Sequence, residues 1–128
     1  MSLSIRAMLK RKRATIIVKT SKGILVGKPW FIWSFRLIGG GVKRREDYLD
    51  AGKRELFEET GIKEGKLKFL FDFKERLQEH KVYYIKIKNN LEMKMNWENK
   101  NVQFVNKSNF RNFKLNRYTK KILARYFS

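Results

Sequence analysis

Apolar and polar positions divide the chain into short segments. Ala14-Thr15-Ile16-Ile17-Val18 is a β-branched run too short for a helix, and Ile24-Leu25-Val26 resumes the pattern after the turn residues Ser21-Lys22-Gly23. Two such runs around a glycine-containing turn predict a β-hairpin. Residues 30–38 are mainly apolar and lead into Gly39-Gly40-Gly41, and three successive glycines predict a break in regular structure. A charged loop, 42–46, precedes a helix predicted from about 48 to 60. Asp47 is placed to cap it, with Asp50 three residues on in a capping-box-like arrangement. Leu49, Ala51, Leu56 and Phe57 are its candidate apolar positions, and Gly61 is placed to end it in the left-handed conformation. Further strands are predicted at about 66–73, 82–88 and 102–105. Asn89-Asn90 reads as a turn and 106–109 as a loop. Tyr118, Ile122, Leu123 and Tyr126 recur at helical spacing, which predicts a closing helix over about 115–126. The order β-β-loop-α-β-β-β-α implies a mixed α/β sandwich.

Size and composition narrow this picture. A chain of 128 residues with 42% hydrophobic positions suits one compact domain, 1–128, in which 1–13 is a basic arm leading into the first strand. Lys and Arg number 31 against 12 Asp and Glu, a net charge of +19. A field of that sign draws nucleotides, RNA or phosphorylated metabolites. Because the basic residues are spread along the chain, a merely soluble basic surface explains them equally well. Cysteine is absent, which excludes disulfides, thiolate metal sites and cysteine nucleophiles. The one histidine, His80, excludes a His-rich zinc site. Metal chemistry would therefore use oxygen ligands. No apolar run approaches the roughly 18 residues of a membrane span. No apolar segment of a signal peptide follows the basic N-terminus. The expectation is a cytoplasmic protein without a membrane partner.

The candidate chemistry lies between Gly40 and Ile62. A helix advances about 100° per residue, so Glu55, Glu58 and Glu59 share one side of it. Like charges at that spacing cost roughly 0.2–0.5 kcal/mol per pair. A divalent cation reverses the sign of that effect, and oxygen-only ligands suit Mg²⁺, Mn²⁺ or Ca²⁺. Arg54 is four residues from both Asp50 and Glu58, where it can orient the carboxylates. The glycine run offers bare backbone, including a carbonyl that could act as a ligand. An exposed acidic helix with ordinary Glu–Arg pairing is the alternative reading of these residues.

The complete pattern resembles the Nudix box, Gly-x5-Glu-x7-Arg-Glu-U-x-Glu-Glu-x-Gly-U, with U a bulky aliphatic residue. Gly40, Glu46, Arg54, Glu55, Leu56, Glu58, Glu59, Gly61 and Ile62 occupy its defined positions. The predicted strands before and after fit the same family, and the length is similar to that of the small mutator-type (MutT) pyrophosphohydrolases. The resemblance implies an α+β fold, an α/β/α sandwich whose mixed sheet carries the box as a loop–helix–loop. It implies an enzyme that cleaves a diphosphate linkage in a nucleoside diphosphate derivative with Mg²⁺, or with Mn²⁺ in its place. Glu58 and Glu59 would bind the metal, and Glu55 would be a further ligand or the base that activates water. Glu46 would support the site from the loop, Gly40 or a neighbour would supply a carbonyl, Arg54 would orient the glutamates, and Gly61 would make the turn after the helix.

Outside the box, Glu98 precedes Phe104 in a way that resembles a later metal-binding glutamate of the mutator-type enzymes; otherwise it is a surface acid. Asn116 lies where those enzymes read a purine, although asparagine is also a common helix cap. Phe35 would pack on a base or in the core. Arg36 and Lys43, on either side of the glycines, are further candidate substrate contacts. Two departures stand out. Ile38 replaces a proline before the glycines, and Lys43-Arg44-Arg45 replaces a stretch that often holds an acid and then a glycine. Pro29 is the only proline, so the downstream proline of many ADP-ribose hydrolases is missing. A nucleoside triphosphate or modified deoxynucleotide is thus the first expected substrate and an RNA 5′ end the second, ahead of dinucleoside polyphosphates and ADP-ribose. The alternative is a catalytically silent relative that binds RNA or nucleotides. Monomer and homodimer are both open.

Overall fold

The computed structural model describes residues 10–63, 65–88 and 100–128. Within them, β1 (Arg11–Thr20), β2 (Gly23–Pro29), β3 (Arg36–Gly41), β4 (Lys68–Lys74), β5 (Gln78–Lys86) and β6 (Lys100–Val105) form a six-stranded sheet. Their order is β4-β5-β1-β3-β2-β6. β1 runs parallel to β5, whereas the other neighbours are antiparallel. Helices α1 (Tyr48–Thr60) and α2 (Arg117–Tyr126) complete the fold, with a short 3₁₀ turn at Phe110–Asn112. Alternate residues of β1 serve two cores. Ala14, Ile16 and Val18 pack with Ala51 and Leu56 of α1, while Ile17 packs with Ile122 and Leu123 of α2. This double burial explains why β1 reads as a continuous apolar run. Each fully buried Ile, Leu or Val contributes about 1.5–3 kcal/mol, so the two cores hold α1 and α2 to opposite faces and make the mixed α+β sandwich.

The structure departs from the sequence expectations in several places. β1 and β2 pair only next to their turn, at Lys19–Ile24 and Thr20–Gly23. β3 enters between them, because Leu37 and Ile38 point to opposite faces and both are fully covered only in the middle of the sheet. The three glycines do not break the structure. They finish β3, with Gly39, Gly40 and Gly41 opposite Thr15, Ala14 and Arg13 of β1. Leu49 and Phe57 of α1 are exposed, leaving Ala51 and Leu56 as its apolar core contacts. Trp30, Phe31 and Trp33 also face solvent. The Asn89-Asn90 turn, Glu98 and residues 1–9 of the basic arm lie outside the described residues. Arg11, Lys12 and Arg13 are already part of β1.

β5 begins at Gln78, earlier than its apolar pattern announces, because a histidine acts there as a core residue. His80 is buried, with Nδ1 2.8 Å from Thr15 Oγ1 and Nε2 2.9 Å from Gln78 Oε1. Its ring lies 4.7 Å from that of Tyr118 on α2. In the neutral ring, Nε2–H donates to Gln78 and Nδ1 accepts from Thr15, so both nitrogens are satisfied without a charge. Burial, and then the positive charge of Arg13, push the imidazole down from its usual 6.5 to about 4. The unfolded chain therefore takes up this proton first as pH falls. Stability from His80 is complete above pH 6.5 and is lost on acidification towards pH 4, on the order of 3 kcal/mol at most. Thermal melts should show the midpoint falling across that window in the wild type and a flatter profile in His80→Gln. Parallel profiles would show that the imidazole is not the group responsible.

Candidate active site

α1 is capped as its sequence predicts. Asp47 Oδ1 accepts from the Asp50 N–H at 2.7 Å, and Gly61, at φ 78°, donates its N–H to the Phe57 carbonyl at 2.8 Å. Ala51, Gly52, Leu56 and Thr60 face inward, and the helix packs on β1 and β3. That orientation sets two acids of the helix against the glycine end of β3. Glu59 Oε2 accepts the Gly39 N–H at 2.8 Å. The Glu55 carboxylate occupies the space a Cβ on Gly40 would fill: that carbon would lie 2.8 Å from Oε2, with other carboxylate atoms nearer still. Gly39 has φ 146°, and a side chain there would run into the Ala14 carbonyl. The glycines thus give β3 a side-chain-free end on which carboxylates rest directly.

Arg54 ties the remaining acids together. Its Nε and Nη2 donate to the two oxygens of Glu46 at 2.9 and 3.0 Å. Nη1 donates to Glu55 Oε1 at 2.9 Å and Glu58 Oε2 at 3.3 Å, and Nη2 also reaches the Gly41 carbonyl at 3.0 Å. Only a planar fork with five N–H donors can serve this set. Glu46 accepts in addition from the Lys43 N–H at 3.0 Å. The bonds from Arg54, then the one from Lys43, hold the Glu46 carboxyl at about 2, well below its ordinary 4.5, while Glu46 and Glu55 raise Arg54 further above its usual range. Stability from the Glu46 contacts is therefore present above pH 4.5 and lost as pH falls towards 2. Before Glu46, Arg45 takes φ 67°, a conformation glycine adopts at less cost.

The donors at this end of β3 are the carboxylates of Glu55, Glu58 and Glu59 and the backbone carbonyls of the glycines. An all-oxygen set of this kind fits a hard divalent cation, and the Gly40 cradle lets one carboxylate approach the strand closely. Among the described residues, no three acidic or histidine side chains are gathered as a ready ligand cluster. Glu46, Glu55 and Glu58 instead converge on the Arg54 fork, with Glu58 half exposed at its rim.

The other sequence candidates fall into two groups. Lys43 belongs to the acidic end through its bond to Glu46. Phe35 and Asn116 meet at the opposite end of β3, where the Asn116 N–H donates to the Phe35 carbonyl at 2.9 Å. Asn116 is also the N-cap of α2, its Oδ1 accepting from the Thr119 N–H at 3.0 Å. Arg36 starts β3 opposite Gly27. Two parts of the site escaped the sequence reading. One is the Gly39 N–H and Gly41 carbonyl as hydrogen-bonding groups; the unbroken glycine run was the available signal. The other is the placement of the basic arm, which the sequence reads as either solvated or a phosphate contact: Lys10, Arg11, Lys12 and Arg13 line a cleft of about 580 Å³ together with Gly41 and Val42, beside the glycines.

The NUDIX domain profile matches residues 9–126. The chain belongs to the Nudix family. Its box, from Gly40 to Ile62, is the β3 end, loop and α1 just described. Among curated protein sequences no match was found. Solved structures supply similar folds. A Nudix hydrolase family member from Chromobacterium violaceum is 29% identical, with a TM-score of 0.72 over 91% of this chain and 76% of that one. A mutT/nudix family protein from Listeria innocua is 17% identical, with a TM-score of 0.75 over 91% of each chain. MutT, from a study of the Aliivibrio salmonicida and Vibrio cholerae proteins, is 15% identical, with a TM-score of 0.69 over 91% of this chain and 94% of its own. As a Nudix hydrolase, the protein is a pyrophosphohydrolase acting on phosphoric anhydrides. Nudix hydrolases act on nucleoside diphosphate derivatives and generally use a divalent metal. Among the described residues no helix is long and apolar enough to cross a membrane.

Proposed function

We propose that this Nudix enzyme cleaves the diphosphate linkage of a nucleoside triphosphate or modified deoxynucleotide with Mg²⁺, for which Mn²⁺ can substitute. The observation that carries this reading is the seating of Glu55 and Glu59 on the glycine end of β3, with Arg54 linking Glu46, Glu55 and Glu58. Glu58 and Glu59 would hold the metal, with the Gly40 carbonyl and Glu98 as further ligands and Glu55 as either another ligand or the base. When bound, the ion would neutralise charge on the diphosphate oxygens and make a water molecule more acidic. As the base, Glu55 would take the proton from a position that the strand and the Arg54 bond fix. Lys10, Arg11 and Lys12, beside Gly41, would grip the phosphates. Phe35 would pack against the base. Because Asn116 Oδ1 is committed to the helix cap, its amide N–H groups would meet a purine acceptor.

The test is release of phosphate or pyrophosphate from a panel of nucleoside di- and triphosphates at alkaline pH, with Mg²⁺, with Mn²⁺ and with neither. Hydrolysis that depends on the metal is expected, strongest for a purine triphosphate. Nucleotide binding without turnover under every metal condition would replace this reading with that of a silent binding domain.

A further inference from the structure

Between β2 and β3 the chain turns tightly, the Ile32 N–H donating to the Pro29 carbonyl at 3.1 Å. This turn carries Trp30, Phe31 and Trp33 with 68%, 66% and 82% of their surfaces exposed. Three large aromatics within four residues, left in water while most other described rings pack into the cores, mark a contact surface rather than stray exposure. Trp30 and Phe31 meet edge to face at 5.7 Å, which leaves ring faces available. Cations accompany them: Lys114 Nζ lies 5.2 Å from the centre of the Trp33 ring, and Lys28 Nζ lies 5.6 Å from that of Phe35. The Phe35 N–H donates to the Lys114 carbonyl at 2.8 Å, and the Asn116 N–H returns to Phe35. These bonds fasten the aromatic turn next to Phe35 and Asn116.

Flat apolar faces interleaved with ammonium groups are the chemistry of single-stranded nucleic acid binding, in which bases stack and phosphates are neutralised. The net charge of +19 matches a polyanion. We propose that Trp30, Phe31 and Trp33, with Lys28 and Lys114, form a stacking platform for unpaired nucleotides of an oligonucleotide whose 5′ end enters the acidic site. Its catalytic consequence rests on the nucleotide reading above, but its binding does not. In that reaction a water oxygen bonds to the α-phosphorus of the 5′-triphosphate, and the bond from that phosphorus to the oxygen bridging it to the β-phosphorus breaks. Pyrophosphate leaves with the bonding electrons, and the proton passes to a glutamate and then to solvent.

The experiment compares the wild type with Trp30→Ala/Trp33→Ala, both as full chains, in binding ten-nucleotide RNA and DNA strands by fluorescence anisotropy at low salt. The substituted side chains are exposed, so circular dichroism melts should coincide. Single strands should bind the wild type, duplexes more weakly, and the double variant should lose at least roughly tenfold in affinity. Its kcat/KM for a 5′-triphosphorylated strand should fall by a similar factor, with mononucleotide turnover unchanged. The RNA and DNA arms decide which polymer is preferred. Equal affinity of variant and wild type would overturn the platform, as would duplex binding as tight as single-strand binding. Binding to phosphatidylserine vesicles but not to strands would overturn it in favour of a lipid surface. Loss of stacking-dependent binding with no mononucleotide turnover in either protein would support the platform and reject the enzymatic reading of the acidic site.

Discussion

Glu59→Gln is expected to lower kcat by roughly three orders of magnitude with little change in thermal stability. The amide oxygen of glutamine can still accept the Gly39 N–H that the carboxylate holds at 2.8 Å, so the junction between α1 and β3 survives. What disappears is a negative charge at the proposed metal position. About 4 kcal/mol of transition-state stabilisation corresponds to the expected factor, within the several kcal/mol that a metal ion supplies to phosphoryl chemistry. Glu58→Gln should behave similarly. Steady-state kinetics with a Mg²⁺ titration, alongside a melting curve, tests both. Near-normal turnover in both variants, with unaltered metal dependence, would remove these residues from the site.

Substitutions in the glycine run should separate folding from catalysis. Gly40→Ala puts a methyl group where the Glu55 carboxylate now rests, while the Gly40 backbone needs no left-handed angle. The carboxylate must move, and it disturbs the Arg54 fork as it does. Activity should fall about ten- to hundredfold, the scale seen when groups that orient metal ligands are lost, and overpacking should cost about 1–3 kcal/mol of stability. Gly39→Ala meets the Ala14 backbone and a φ of 146°, so it should chiefly impair folding. Gly41→Ala points into open space and should be close to wild type. Purified soluble yield, melting temperature and kcat for the three variants supply the readout. Full activity in Gly40→Ala would mean that the seat of Glu55 on the strand is irrelevant to turnover.

Asp47, Gly61 and the box spacing were legible because capping and helical periodicity are local. A carboxylate three residues from a free N–H, or a glycine after a last turn, acts whatever the rest of the chain does. The acids that share a helical side were legible for the same reason, as was a short β-branched strand at residues 14–18. His80 was not: a histidine among Gln78, Glu79 and Lys81 reads as polar surface until Thr15 and Tyr118 are brought over it from distant parts of the chain.

The local order of residues determined where α1 begins and ends, which acids line up along it, and that no sulfur or histidine cluster could take over their chemistry. Tertiary structure alone decided that the glycines continue a strand, that β3 separates β1 from β2, and that Glu55 and Glu59 rest on bare backbone. It also decided that Trp30, Phe31 and Trp33 stay in water. The physical reason is the range of the forces involved. Caps and helical faces are set within a few residues, whereas strand insertion and burial depend on which apolar faces compete for the same cores across the whole chain.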